Sequence, residues 1–115
     1  MLTFNDLAQA NRVRCESKFH ALDAWSPTDW ACAMAGECGE ACNLVKKIRR
    51  LQSHPSWAPQ DADRDLVGDV ADELADVVIY ADLLAQRLGL SLGEAVARKF
   101  NVTSRKVGSD VFLKE

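Results

Sequence analysis

The chain has 115 residues and a formal net charge of −3. That length suits a single domain spanning residues 1–115, able to bury roughly two-thirds of its unfolded surface. The acidic balance argues against a nucleic-acid polymer as partner. No apolar run approaches the length that crosses a bilayer, and residues 1–6 lack the basic and apolar regions of a secretory signal. A cytoplasmic protein without a membrane partner is expected.

Every long segment reads as helix. The first runs from about residue 3 to residue 19 or 20, with Thr3 as N-cap and Asp6 at its third position. Phe4, Leu7, Ala8, Val13 and Cys15 give it a moderate apolar stripe. Residues 20–25 read as an irregular turn. Ser26-Pro27-Thr28-Asp29 then opens the second helix with a capping serine, a proline at the first helical position and an aspartate at the third. It continues through Trp30, Met34, Leu44, Val45 and Ile48, and the basic residues Lys46, Lys47, Arg49 and Arg50 complement its C-terminal dipole. Residues 53–64 hold two prolines and Trp57 and read as a surface loop. A third helix over about residues 65–88 carries a wide apolar face of Leu66, Val70, Leu74, Val77, Val78, Ala81, Leu84 and Leu88, with Gly89 closing it. Ser91 and Glu94 form a capping box for a fourth helix through about residue 100 or 101, and the tail after it is expected to be helical at first and frayed later.

These elements predict an all-α bundle of four to five helices, with the second and third antiparallel. The cysteines Cys15, Cys32, Cys38 and Cys42 contain no CxxC, and neither His20 nor His54 stands at ligand spacing to a pair of them. They are expected to be reduced, core-filling thiols.

The chemistry concentrates in two acidic pairs, Glu37-Cys38-Gly39-Glu40 and Glu73-Leu74-Ala75-Asp76. Residues i and i+3 share a helix face, so each pair points two carboxylates one way. Both pairs lie midway along their helices, and antiparallel packing brings them level. Four close carboxylates repel and resist desolvation. A hard divalent cation compensates them, and an all-oxygen set favours Mg²⁺ or Mn²⁺ over zinc. The second member of each pair, Glu40 and Asp76, is expected to approach one cation from opposing helices.

Three stretches together, Gly36-Glu37-Cys38-Gly39-Glu40, residues 72–80 around Glu73 and Asp76, and Arg98-Lys99-Phe100-Asn101 with Arg105 after it, resemble the MazG-like branch of the all-α nucleoside triphosphate pyrophosphohydrolases. The resemblance covers about residues 19–105. It implies Mg²⁺-dependent cleavage of a (deoxy)nucleoside triphosphate to the monophosphate and pyrophosphate, with Glu37, Glu40, Glu73 and Asp76 as metal ligands. It assigns Lys99, Asn101 and Arg105 to the phosphates and Tyr80 to the nucleotide pocket. The aromatics Phe19, His20, Trp25 and Trp30 are similar in placement to the base pocket of deoxynucleotide-specific members. Where the family commonly has a glutamate just before its first motif acid, this chain has Gly36, and the general base stays open between Glu37 and Glu40.

The resemblance and the apolar third helix together imply a homodimer or homotetramer. Two alternatives share the same features: a phosphoribosyl-ATP pyrophosphohydrolase, and a non-catalytic nucleotide-sensing or adaptor bundle. A ferritin-like di-iron bundle is disfavoured, because no glutamate has a histidine three residues on.

Overall fold

Each of the four α-helices among the described residues opens on a side chain that accepts one of its orphan N–H groups. Thr3 caps α1 (Phe4–Lys18): its Oγ1 accepts from Asp6 N at 3.1 Å while Asp6 Oδ2 accepts from Thr3 N at 2.9 Å. Ser26 and Asp29 make the same reciprocal pair at the start of α2 (Pro27–Ser53), with Pro27 in the first turn. Asp65 accepts from Gly68 N at the start of α3 (Leu66–Arg87). A Cβ at Gly68 would overlap that aspartate carboxylate, so a larger residue there would make the capping side chain shift. Ser91 accepts from Glu94 N to open α4 (Leu92–Val107). A short 3₁₀ turn, Leu22–Ala24, links α1 to α2. The computed structural model describes residues 1–54, 56, 61 and 64–115, and no strand occurs among them. Most of the expected loop over residues 53–64, Trp57 included, lies outside the described residues.

The dominant packing is α2 against α3. The two are antiparallel: Arg87, at the end of α3, donates to Trp25 O just before α2 begins, whereas Glu37 further along α2 meets Glu73 and Asp76 earlier in α3. Helix α1 lies across the end of this pair where α2 starts. There Cys15, Leu22, Trp30 and Leu83 are buried together, with Trp25, Tyr80 and Leu84 packed on them. Trp30 satisfies its one polar atom by donating Nε1–H to Leu22 O at 3.1 Å. Ala41, Leu44 and Leu66 are buried further along the pair.

The helical beginning expected of the tail is the end of α4, which runs to Val107, where its stop signal is Gly108 at φ +72°, with Ser109 N donating back to Ser104 O. Two expectations change. Core filling by thiols holds for Cys15 alone; Cys32, Cys38 and Cys42 are free and exposed. The inward stripe of α2 belongs to Trp30, Ala41 and Leu44, which leaves those cysteines on other faces. Finally, Leu74, Val78 and Leu88 on the apolar face of α3 are exposed. Helix α4 touches α1 and α3 only lightly, and the radius of gyration is 17.7 Å against about 13 Å for a compact chain of this length. Among the described residues of one copy, nothing covers this apolar surface.

Candidate functional site

The acids sit where α2 and α3 face each other. One carboxylate oxygen from each of Glu37, Glu73 and Asp76 lies within 4.8 Å of the other two. Glu40 contributes no atom to that group and is exposed. It nevertheless stands close enough to Glu73 to affect its titration. Glu73 is pushed up to about 7 from the ordinary 4.5, chiefly because a hydrogen bond shared with Glu37 favours its neutral form, with burial and Glu40 acting in the same direction. Among the described residues, no group of the protein donates a hydrogen bond to Glu73 Oε2, which is sealed from solvent. A buried carboxylate oxygen without a donor, flanked by two more carboxylates, is a site short of positive charge. The donors are all oxygen, which suits a hard divalent cation, and Glu37, Glu73 and Asp76 can hold a metal ion.

This arrangement carries a pH signature. Because the folded protein holds the Glu73 proton more tightly than the unfolded chain, that contribution to stability is complete below about pH 4.5 and is lost as pH rises through about 7. The metal-free protein is therefore expected to melt at progressively lower temperature as pH is raised across that interval. Mg²⁺ should oppose the loss by binding the deprotonated cluster. Melting curves with EDTA and with Mg²⁺ across pH 4.5–8 measure both effects; parallel curves would argue against a coupled carboxylate site.

Beside the acids a cavity of about 390 Å³ opens, and Glu37 and Asp76 form part of its wall. Phe19, His20, Trp25, Trp30 and Tyr80, the aromatic residues expected from the sequence, all line it. Their rings form a tilted cluster: Trp25 and Trp30 have centroids 4.6 Å apart, His20 lies 4.8 Å from Trp25 and 5.5 Å from Trp30, and Tyr80 is 6.1 Å from Trp30. The segment is fastened by backbone and side-chain bonds. Arg87 Nε donates to Trp25 O at 2.9 Å, and Cys15 donates its thiol to His20 O. Phe19 is at the exposed rim and Trp30 at the buried floor.

The α4 residues are elsewhere. No α4 side chain lines this cavity. Lys99 and Arg105 are exposed. Asn101 is buried, and its amide is engaged with the C-terminal tail: Nδ2 donates to Leu113 O and to Glu115, and Oδ1 accepts from Leu113 N. Asp69, on the first turn of α3, is paired with Arg64 at 2.9 Å. At Gly36 a side chain would meet open space, so no steric demand explains the glycine there.

Sequence reasoning missed Asn11, Arg14, Ile79 and Leu83, which also line the cavity. For Asn11 a signal existed. It falls between Leu7 and Cys15 at four-residue steps, a polar residue within the inward stripe of α1.

An all-helical fold that turns carboxylates of two antiparallel helices toward one point, beside an aromatic cavity, is that of a nucleotide pyrophosphohydrolase-type domain. A model of the MazG-like family matches residues 42–112, more than half of the chain, and the protein belongs to that family. The match takes in Glu73 and Asp76 but begins after Glu37 and Glu40. No curated protein and no solved structure matches the chain.

Proposed function

We propose that the protein hydrolyses (deoxy)nucleoside triphosphates to the monophosphate and pyrophosphate, with Mg²⁺, or Mn²⁺ in its place, held by Glu37, Glu73 and Asp76. The observation that carries this reading is that Glu37 and Asp76 belong both to the carboxylate cluster and to the wall of the aromatic cavity. A ligand with a flat base at one end and a metal-seeking polyphosphate at the other fits such a pair of neighbours. When bound, the metal supplies Lewis-acid polarisation of the phosphoryl oxygens and lowers the pKa of water. Glu40, outside the three-acid cluster and exposed, takes the proton of the attacking water. The aromatic cluster holds the base by stacking, which is tolerant of base identity and strong enough to orient the substrate. A monophosphate product requires attack at the α-phosphorus. We read the role as nucleotide-pool housecleaning in the cytoplasm, with the deoxynucleotide preferred.

The same reading includes a homodimer or homotetramer. The uncovered apolar residues of α3 and the light packing of α4 support it. In such an assembly the exposed cations Lys99 and Arg105 are available to a triphosphate bound on a neighbouring copy. Light scattering at micromolar protein should return two or four times the chain mass; a monomer would count against the assembly and against that role for α4.

Pyrophosphate release, followed over a panel of dNTPs and NTPs with Mg²⁺ and again with excess EDTA, tests the activity. Metal-dependent release of equal amounts of monophosphate and pyrophosphate is expected. Inorganic phosphate as the product, or no turnover on any nucleotide, would overturn the reading and leave a binding module.

A further inference from the structure

Asn11 is 3% exposed yet lines the cavity, and its amide cannot turn. Its Nδ2 donates to Ile79 O at 2.9 Å and to Asp82 Oδ2 at 2.8 Å. A main-chain carbonyl has no hydrogen to give, so the amide nitrogen must face Ile79 O and the amide oxygen must face away from it. Asp82 is itself buried, at 2% exposure, and is held by Gln86 Nε2, which donates to Asp82 Oδ2 at 2.9 Å and to Ala8 O at 3.0 Å. The chain thus uses a buried carboxylate and a glutamine to fix one asparagine. Among the described residues no hydrogen bond to Asn11 Oδ1 is found, and with Nδ2 committed twice this oxygen is the polar atom that a cavity-lining Asn11 has left to offer a ligand.

The neighbouring polar groups follow the same pattern. His20 Nδ1 lies 2.8 Å from Ala21 O, a carbonyl that can only accept, so Nδ1 is a donor and Nε2 is the ring nitrogen left for a ligand. The Trp30 indole N–H and the Cys15 thiol are already committed to Leu22 O and His20 O. Donors remain at Trp25, at the Tyr80 hydroxyl and at Arg14, an exposed residue. These suit the acceptor ring nitrogens that every base offers and the oxygens of its sugar.

Building on the nucleotide reading above, we propose that Asn11 is the base-reading residue. Its Oδ1 accepts a hydrogen bond from the exocyclic amino group of a 4-aminopyrimidine or 6-aminopurine nucleotide, and Asp82 positions it to do so. A carbonyl at the same place, as in uracil or guanine, would set two acceptors against each other in a buried site. The imide N–H of uracil does not rescue the fit, because a carbonyl stands on each side of it. A buried polar group left unpaired is what gives such sites their discrimination.

The test separates base recognition from catalysis. Isothermal titration of the whole protein with dCMP and dUMP requires no turnover, and dCMP should bind roughly 10- to 100-fold more tightly. The ratio of kcat/KM for dCTP over dUTP should follow it. In the double variant Asn11→Leu with Asp82→Leu both partners become apolar together, so no buried charge is orphaned, and the preference should fall to within about threefold. Equal binding of dCMP and dUMP by the parent, or no binding of either, overturns the proposal whether or not the double variant folds. So does a folded double variant that keeps the parent ratio. Hydrolysis without discrimination would remove the base assignment and leave the enzyme reading standing; discrimination without hydrolysis would do the reverse.

Discussion

Glu73→Gln is expected to lower pyrophosphate release by at least ~10²-fold while leaving the fold intact. Glutamine keeps the size of the side chain and removes the charge from the middle of the cluster, where Glu73 faces both Glu37 and Glu40. The variant should also melt higher than the parent in EDTA. It no longer forces an ionised carboxylate with a donorless oxygen into a group of like charges above about pH 7. Mg²⁺ should raise the melting temperature of the parent and do much less for the variant. A loss of activity together with a gain in metal-free stability is the mark of a site under electrostatic strain. A scaffold residue would lose both. Asp76→Asn should behave alike in activity, since Asp76 belongs to the same group of three.

The second large effect concerns stability. Trp30→Ala is expected to cost about 3–5 kcal/mol, the range for removing a large aromatic from a core. Trp30 is 2% exposed, joins Cys15, Leu22 and Leu83 at the junction of α1, α2 and α3, and supplies the indole bond to Leu22 O. Removing it opens a void that neither the 3₁₀ turn nor Tyr80 can fill without moving. Trp25→Ala should fold, because Trp25 is only half-buried and its fastening to Arg87 runs through its backbone carbonyl. Its expected signature is weaker nucleotide binding by ~1–3 kcal/mol. Denaturant titrations distinguish the pair: a Trp30→Ala protein as stable as the parent would mean that the core lies elsewhere.

Helix starts were legible because they are local chemistry. Ser26-Pro27-Asp29 and Thr3 with Asp6 carry their caps in the sequence, and both reciprocal caps form. The acidic pairs were legible because a three-residue spacing fixes a helix face, and antiparallel packing then brings Glu37, Glu73 and Asp76 together. What stayed hidden depends on three-dimensional neighbours. Periodicity ranked Leu74 and Val78 as core, but burial of a stripe needs a partner surface, which the described residues of one copy do not supply. Cys38 and Cys42 share a face, yet nothing in the sequence says that Ala41 and Leu44 take the inward side. Asn11 and Asp82 are seventy-one positions apart. The inward stripe of α1 points to Asn11, but nothing in the sequence names Asp82 as its partner until α1 is laid across α3. Asn101 read as a phosphate contact from its motif, while the C-terminal tail folds back and engages its amide.

The central claim is that the carboxylates of α2 and α3 support water attack on the α-phosphorus of a nucleotide seated in the adjoining cavity. Turnover in ¹⁸O-labelled water with Mg²⁺, read by mass spectrometry of both products, tests it most directly. The label should appear on the monophosphate and not on pyrophosphate, and Glu73→Gln should yield neither product at a comparable rate. Label on the pyrophosphate, or Mg²⁺-dependent turnover undiminished by Glu73→Gln, would contradict the account.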